Sequence, residues 1–200
     1  GRGVTHSERT SAETRTHPHS LFGIQTWVAL PEDQEDAAPT FEHHGKDTLP
    51  VIDDDGVRVR LILGQAYGAR APASVFSDTF YGDVTLAAGA RLPLPDDHED
   101  RGIYIVDGDI SIAGQVFDAG RMMVFRPKDK MTVAAGARGA RLIILGGATL
   151  EGPRYVWWNF VSSSKEKIEA AKEQWRQARW GDGQFDLPAD DRDEFIPLPP

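Results

Sequence analysis

The side chains best suited to chemistry in this 200-residue chain are histidines and carboxylates, and few of them stand at a useful spacing. His6 and Glu8 lie two residues apart, so in an extended segment both would project from one face. A neutral imidazole nitrogen and a carboxylate oxygen aimed the same way can share a divalent cation such as iron. A polar strand end near a terminus would carry the same pair without any chemistry. His17 and His19 bracket Pro18 and precede Ser20-Leu21-Phe22, which reads as a polar loop with two exposed imidazoles. His43 and His44 fall within Pro31–Pro50, a proline- and acid-rich stretch suited to a surface connection. His98 is the one histidine after His44, so residues 45–200 cannot assemble a three-imidazole site. Cysteine is absent, which excludes disulfides and thiolate metal sites.

The elements that must position these groups are mostly short strands. A turn and a short strand are expected over residues 1–16, and another strand around Gln25–Trp27. After the turn Asp54-Asp55-Gly56, the segment Val57–Leu63 places Val57, Val59, Leu61 and Leu63 on one face, which belongs in a core. Further strands are predicted over Phe80–Ala87, Gly102–Val106, Ile110–Ile112, Arg121–Phe125, Met131–Ala135 and Arg141–Leu145. Turn signals at Gly89, Asp107-Gly108, Ala113-Gly114, Ala119-Gly120, Pro127–Asp129 and Gly136 separate them, and a glycine turn at Leu145–Leu150 ends the series. That spacing suggests a β-sandwich or jelly-roll barrel. Tyr155–Val161 reads as one more strand, whose Trp157 and Trp158 suit packing better than ligand stacking. Ser163-x-x-Glu166 has the form of a capping box, and Ile168, Ala171, Trp175 and Ala178 make one apolar helical stripe ending near Gly181. The tail Gln184–Pro200 is acidic and proline-rich, and its scattered apolar residues suit an extended path over a barrel or a neighbouring subunit.

The punctuation of Gly89–Gly108 resembles the first signature of the cupin superfamily. Pro95, Asp97 and Arg101 stand where the family would place three ligands, and neither proline nor arginine can donate an electron pair to a cation. In the second signature, Gly120 leads to Pro127-Lys128-Asp129 and Thr132 falls near the histidine position, so a fourth donor is missing as well. Two upstream motifs, Gly1-Arg2-Gly3-Val4-Thr5-His6-Ser7-Glu8 and Gly23-Ile24-Gln25-Thr26-Trp27-Val28-Ala29-Leu30-Pro31, look like the pirin family of two-barrel cupins. The resemblance implies an all-β cupin (RmlC-like) jelly-roll fold with a C-terminal α-helix. It implies a non-haem iron held in the first barrel by three histidines and one glutamate. His6 and Glu8 match one histidine and the glutamate, and the other two histidines belong to a His-Pro-His-x-Gly-Phe motif expected before this sequence starts. His17-Pro18-His19 follows His-Ser-Glu instead of preceding it and is not that motif. The expected organisation is 1–50 as the end of the first, metal-binding barrel with a linker, 51–150 as a second, metal-free barrel, and 151–200 as strand, helix and tail.

The formal charge of −9 disfavours direct nucleic-acid binding, which draws on clustered Lys and Arg. No apolar run approaches 18 residues, so neither a membrane partner nor a secretory signal is expected, and a cytoplasmic location fits. The resemblance implies Fe(II) or another divalent metal in the intact protein, with none bound tightly by this chain alone, and quercetin 2,3-dioxygenase activity on a flavonol-type small molecule. An alternative is a non-catalytic, iron-based redox sensor that regulates by binding a protein partner. A sugar-nucleotide epimerase on the same barrel would need a catalytic histidine with a carboxylate inside it, and His98, on a polar loop, is the one candidate.

Overall fold

The computed structural model describes residues 2–181 and 184–200; Gly1, the first residue of the His-Ser-Glu motif stretch, lies outside them. The chain divides into two compact units, one of Glu42–Thr149 and one of the residues up to Phe41 together with Leu150–Pro200.

The first of these units is built from β1 (Val51–Asp54), β2 (Val57–Ala66), β3 (Ala69–Arg70), β4 (Thr79–Leu86), β5 (Arg91–Pro93), β6 (Asp100–Ile112), β7 (Gln115–Asp118), β8 (Met122–Phe125) and β9 (Thr132–Gly147). They form one nine-stranded sheet with the spine β1-β2-β4-β9-β6-β7, while β3, β5 and β8 pair off it, and the path does not close on itself. The inward faces of the four long strands make the core. Val59 and Leu61, Phe80 and Val84, Ile103 and Ile105, and Leu142 and Ile144 are each at most 2% exposed. Two hairpins follow their predicted turns: Asp55 and Gly56, and Ala113 and Gly114, take positive φ at both central positions, which matches the twist of the flanking strands.

Several expected boundaries fail for one reason. Asp107-Gly108 does not end a strand, because β6 runs unbroken from Asp100 to Ile112 and shifts register on both sides of Gly108. Gly136 likewise lies inside the single strand β9. Positive φ at Gly108 (77°) and Gly139 (79°) serves bulges that bend long strands. A Cβ on Gly108 would come within 2.2 Å of the Gly139 carbonyl oxygen, so close backbone approach also demands glycine there. Gly146 and Gly147 are paired residues of β9 and form no turn. A bulge between Leu61 and Leu63 switches faces, so Gly64 and Ala66 turn inward in place of Leu63.

In the other unit, the described residues up to Phe41 contain the one-turn helix α1 (Ala12–Arg15) and a 3₁₀ turn at Glu32–Gln34. The strands expected near His6 and at Gln25–Trp27 do not form, since no described segment pairs with them in a ladder. Tyr155–Val161 is a hairpin and not one strand: β10 (Tyr155–Trp157) pairs β11 (Phe160–Ser162) across a two-residue turn with Trp158 at φ 48°. Helix α2 (Lys165–Gln177) is capped by Ser164, one residue later than the capping-box reading, and ends on Ala178 in the left-handed conformation. Ser163 has a different partner, giving its N–H and hydroxyl to the Glu35 carboxylate at 2.6 Å each. Phe160, Ile168, Ala171 and Phe185 form this unit's core, with Trp158, Trp175 and Trp180 packed on it. The tail passes over this aromatic cluster, where Phe185 and Leu187 are buried, and Trp175 Nε1 donates to the Ile196 carbonyl at 2.8 Å.

Candidate metal centre

His6 and Glu8 lie on a segment gripped from one side. Gly3 (φ 108°) runs so close to the tail that a Cβ there would sit 2.8 Å from the Gln184 carbonyl oxygen. The Thr5 hydroxyl donates to the Asp186 carbonyl. Arg9 donates from Nε (2.6 Å) and Nη2 (3.0 Å) to the two Asp191 oxygens and from Nη1 (2.7 Å) to Glu194. Arg9 and then Ser7 hold the Asp191 carboxyl below its ordinary range, and the bonds to Asp191 and then Glu194 push the Arg9 guanidinium up. Gly3, Thr5 and Arg9 thus contact the tail; only Gly3 and Thr5 are half-buried, and every residue from His6 to Thr10 is exposed. The contacts to the tail fall on alternate residues without a sheet ladder.

This arrangement suits a divalent cation in donor type. His6 offers an imidazole nitrogen and Glu8 carboxylate oxygens, a set that favours iron and its neighbours over softer metals. Gln25 Nε2 lies 3.4 Å from Glu8 Oε1, which joins the two upstream motifs in space. Sequence reasoning named Gln25 only as a motif letter; the contact that orients a candidate ligand emerges from the fold. Among the described residues no group of three or more His, Asp or Glu side chains gathers for a metal, and His6 and Glu8 are not joined by a third such donor. His17 and His19 stay apart from them on an exposed loop, where His19 Nδ1 meets the His17 carbonyl at 3.1 Å. His44 pairs with Glu42 at 3.1 Å.

In the sheet unit, Arg101, one of the residues matched to the cupin signature, forms a different device. Arg101, at the start of β6, is 2% exposed. Its Nη1 donates to the Pro95 carbonyl at 3.0 Å and its Nη2 to the Arg126 carbonyl at 2.9 Å. The guanidinium therefore ties the loop before β6 to the end of β8, linking the two signature stretches with a built-in cation. A divalent ion beside it would meet positive charge. Asp97 is exposed, and Thr132 opens β9. His98 sits on the expected loop but is 5% exposed, tilted against the Phe80 ring with centroids 4.7 Å apart. Its Nε2 faces the Gln65 carbonyl at 3.1 Å, and Asp78 lies 3.3 Å from Nδ1 without hydrogen-bond alignment. Both ring nitrogens are thus turned to protein groups, which argues against a catalytic base of the epimerase kind.

A model of the pirin C-terminal cupin domain matches residues 81–181. Over 200 residues the chain is 40% identical to a pirin-like protein of Caulobacter vibrioides, covering 100% of this chain and 67% of that protein. It is 32% identical over 187 residues to a candidate quercetin 2,3-dioxygenase of Pseudomonas aeruginosa, covering 92% of this chain and 56% of the relative. The crystal structure of a quercetin 2,3-dioxygenase from Acinetobacter baumannii superposes with a TM-score of 0.74 at 26% identity, over 86% of this chain and 56% of that one. The chain accordingly spans between 56% and 67% of the length of these relatives.

Proposed function

Since the chain belongs to the pirin family of cupin proteins, we propose that the intact protein is a metalloprotein with quercetin 2,3-dioxygenase-type activity. His6 and Glu8 supply one imidazole and one carboxylate to a single iron. Residues 1–50 are then the end of the metal-bearing barrel and its linker, 51–150 the metal-free barrel, and 151–200 the aromatic hairpin, helix and tail. The reading is carried by one observation: His6 and Glu8 are exposed on a segment whose residues Gly3, Thr5 and Arg9 are held against the tail. The dioxygenase names of the Pseudomonas and Acinetobacter relatives support the reaction class.

Iron, when bound, would supply open coordination positions for the flavonol oxygens and for dioxygen. The chain's own part is to present the His6 lone pair and the Glu8 oxygens in fixed directions. Gln25 restrains the Glu8 carboxylate, as outer hydrogen-bond partners of ligands do. The test is quercetin consumption by the intact protein with iron added back, against His6→Ala. Loss of turnover and of iron in the variant is expected; wild-type turnover in His6→Ala would overturn the assignment. A second reading, a regulator acting through a protein partner, is favoured by the outer face of β6 and β8. There Tyr104 and Met122 are a cross-strand pair, and they stand with Val124 exposed. Absence of metal-dependent turnover on any flavonol would favour that reading.

A further inference from the structure

We propose that the C-terminal tail is the positioning element of the metal-ligand segment, with Arg9 as the positioning residue through which Asp191 and Glu194 fix the His6–Glu8 face. This rests on the reading that His6 and Glu8 ligate the metal.

The contacts are too regular to be a casual meeting of two termini. Three alternating residues, Gly3, Thr5 and Arg9, meet the tail between Gln184 and Glu194 by three different means: close backbone approach, a hydroxyl-to-carbonyl bond and a three-bond guanidinium clamp. The partners are 181 to 185 residues apart in sequence. Planar guanidinium against carboxylate is the side-chain pairing that fixes direction as well as distance.

The tail can act as a rest because it is itself anchored. Phe185 and Leu187 are buried, Trp175 Nε1 holds the Ile196 carbonyl, and Phe195 packs edge-on against Trp180 at 4.9 Å between ring centroids. Register therefore passes from α2 to the tail, from the tail to Arg9, and from Arg9 to the adjoining Glu8. Exposed ion pairs contribute little to global stability, so the expected effect of breaking this clamp lies in ligand geometry and not in folding.

The experiment uses the intact protein, comparing wild type with Arg9→Ala, Arg9→Lys and the double variant Asp191→Asn/Glu194→Gln. It reads the Fe(II) dissociation constant by chelator competition, the visible spectrum of the Co(II)-loaded protein, and the Tm of the metal-free protein. Arg9→Ala and the double variant should weaken Fe(II) binding on the order of tenfold, the effect typical of lost outer partners of metal ligands. They should also alter the Co(II) bands and leave the metal-free Tm nearly unchanged. Arg9→Lys should recover part of the affinity, since an ammonium supplies charge without the fork. Wild-type Fe(II) affinity and Co(II) spectrum in Arg9→Ala, with His6→Ala losing metal, would overturn the clamp alone. A fall in Tm that accounts for the affinity loss and is not relieved in Arg9→Lys would also overturn it, making Arg9 a structural residue. Undiminished metal binding in both His6→Ala and Glu8→Ala would sink the ligand assignment and the clamp with it.

Discussion

Replacing Arg101 with methionine asks whether the buried guanidinium holds the mouth of the sheet unit together or is merely tolerated there. The side chain is 2% exposed and makes two hydrogen bonds to carbonyls, with no acceptor for Nε among the described residues. Hydrogen bonds involving a charged group contribute about 1.5–3 kcal/mol each, so the two together are worth about 3–6 kcal/mol. Against this stands the desolvation of the guanidinium, an effective penalty of several kcal/mol that methionine does not carry. These terms nearly cancel, and the sign is set by what the substitution leaves behind. The Pro95 residue is buried, so its carbonyl loses its partner out of reach of water, which costs about 1–3 kcal/mol. Arg126 is exposed and its carbonyl can be rehydrated. Arg101→Met should therefore lower the unfolding free energy by about 1–3 kcal/mol. Arg101→Ala, which adds a cavity, should lower it further, by about 2–5 kcal/mol beyond the methionine variant. Urea unfolding measures both, with an unchanged m-value certifying the comparison. An Arg101→Met protein as stable as wild type, or more so, would refute the cross-link and leave the arginine as a burden that the fold survives.

Other substitutions isolate single contacts. Gly146→Ala would put a Cβ 2.3 Å from the Asp100 carbonyl oxygen and 2.5 Å from the Phe80 ring, and should destabilise by at least about 1–3 kcal/mol, read as a fall in thermal midpoint. Ser164→Ala removes the side chain that accepts from Lys167 N and should cost α2 about 1 kcal/mol in chemical unfolding. Glu35→Gln has a pH signature. Burial pushes the Glu35 carboxyl up, but bonds from Ser163 and Ser162 and the Lys167 charge outweigh it and hold the group below its ordinary 4.5. A carboxylate depressed on folding contributes stability above its unfolded pKa and loses it as pH falls through the folded one. The Tm gap between wild type and Glu35→Gln should thus be full near neutrality and shrink as the pH falls below 4.5; a gap independent of pH would exclude the charge as its source.

The features that were legible in the sequence are those decided by a few neighbouring residues. Asp55-Gly56 and Ala113-Gly114 form their hairpins because nothing beyond the pair is needed to select the turn. The stripe of Ile168, Ala171 and Trp175 found its core for the same local reason. Gly108 misled because its positive φ serves a tight turn or a bulge equally well, and the choice was made by Gly139 and Ala140 on a strand some thirty residues away. The expectation of a ligand-stripped cupin frame rests on Pro95, Asp97 and Arg101 as residue types alone. That Arg101 joins Pro95 to Arg126 depends on β6 lying beside β8, which no spacing records. The His6–Glu8 face shows the same limit most sharply. The pair's periodicity was visible, but the expected ladder is absent, and what imposes the alternation is a tail whose acidity, read alone, suggested a loose extended end. Asp191 and Glu194 take their meaning from Arg9, so the composition of that segment and its role could be told apart only once both ends of the chain were placed side by side.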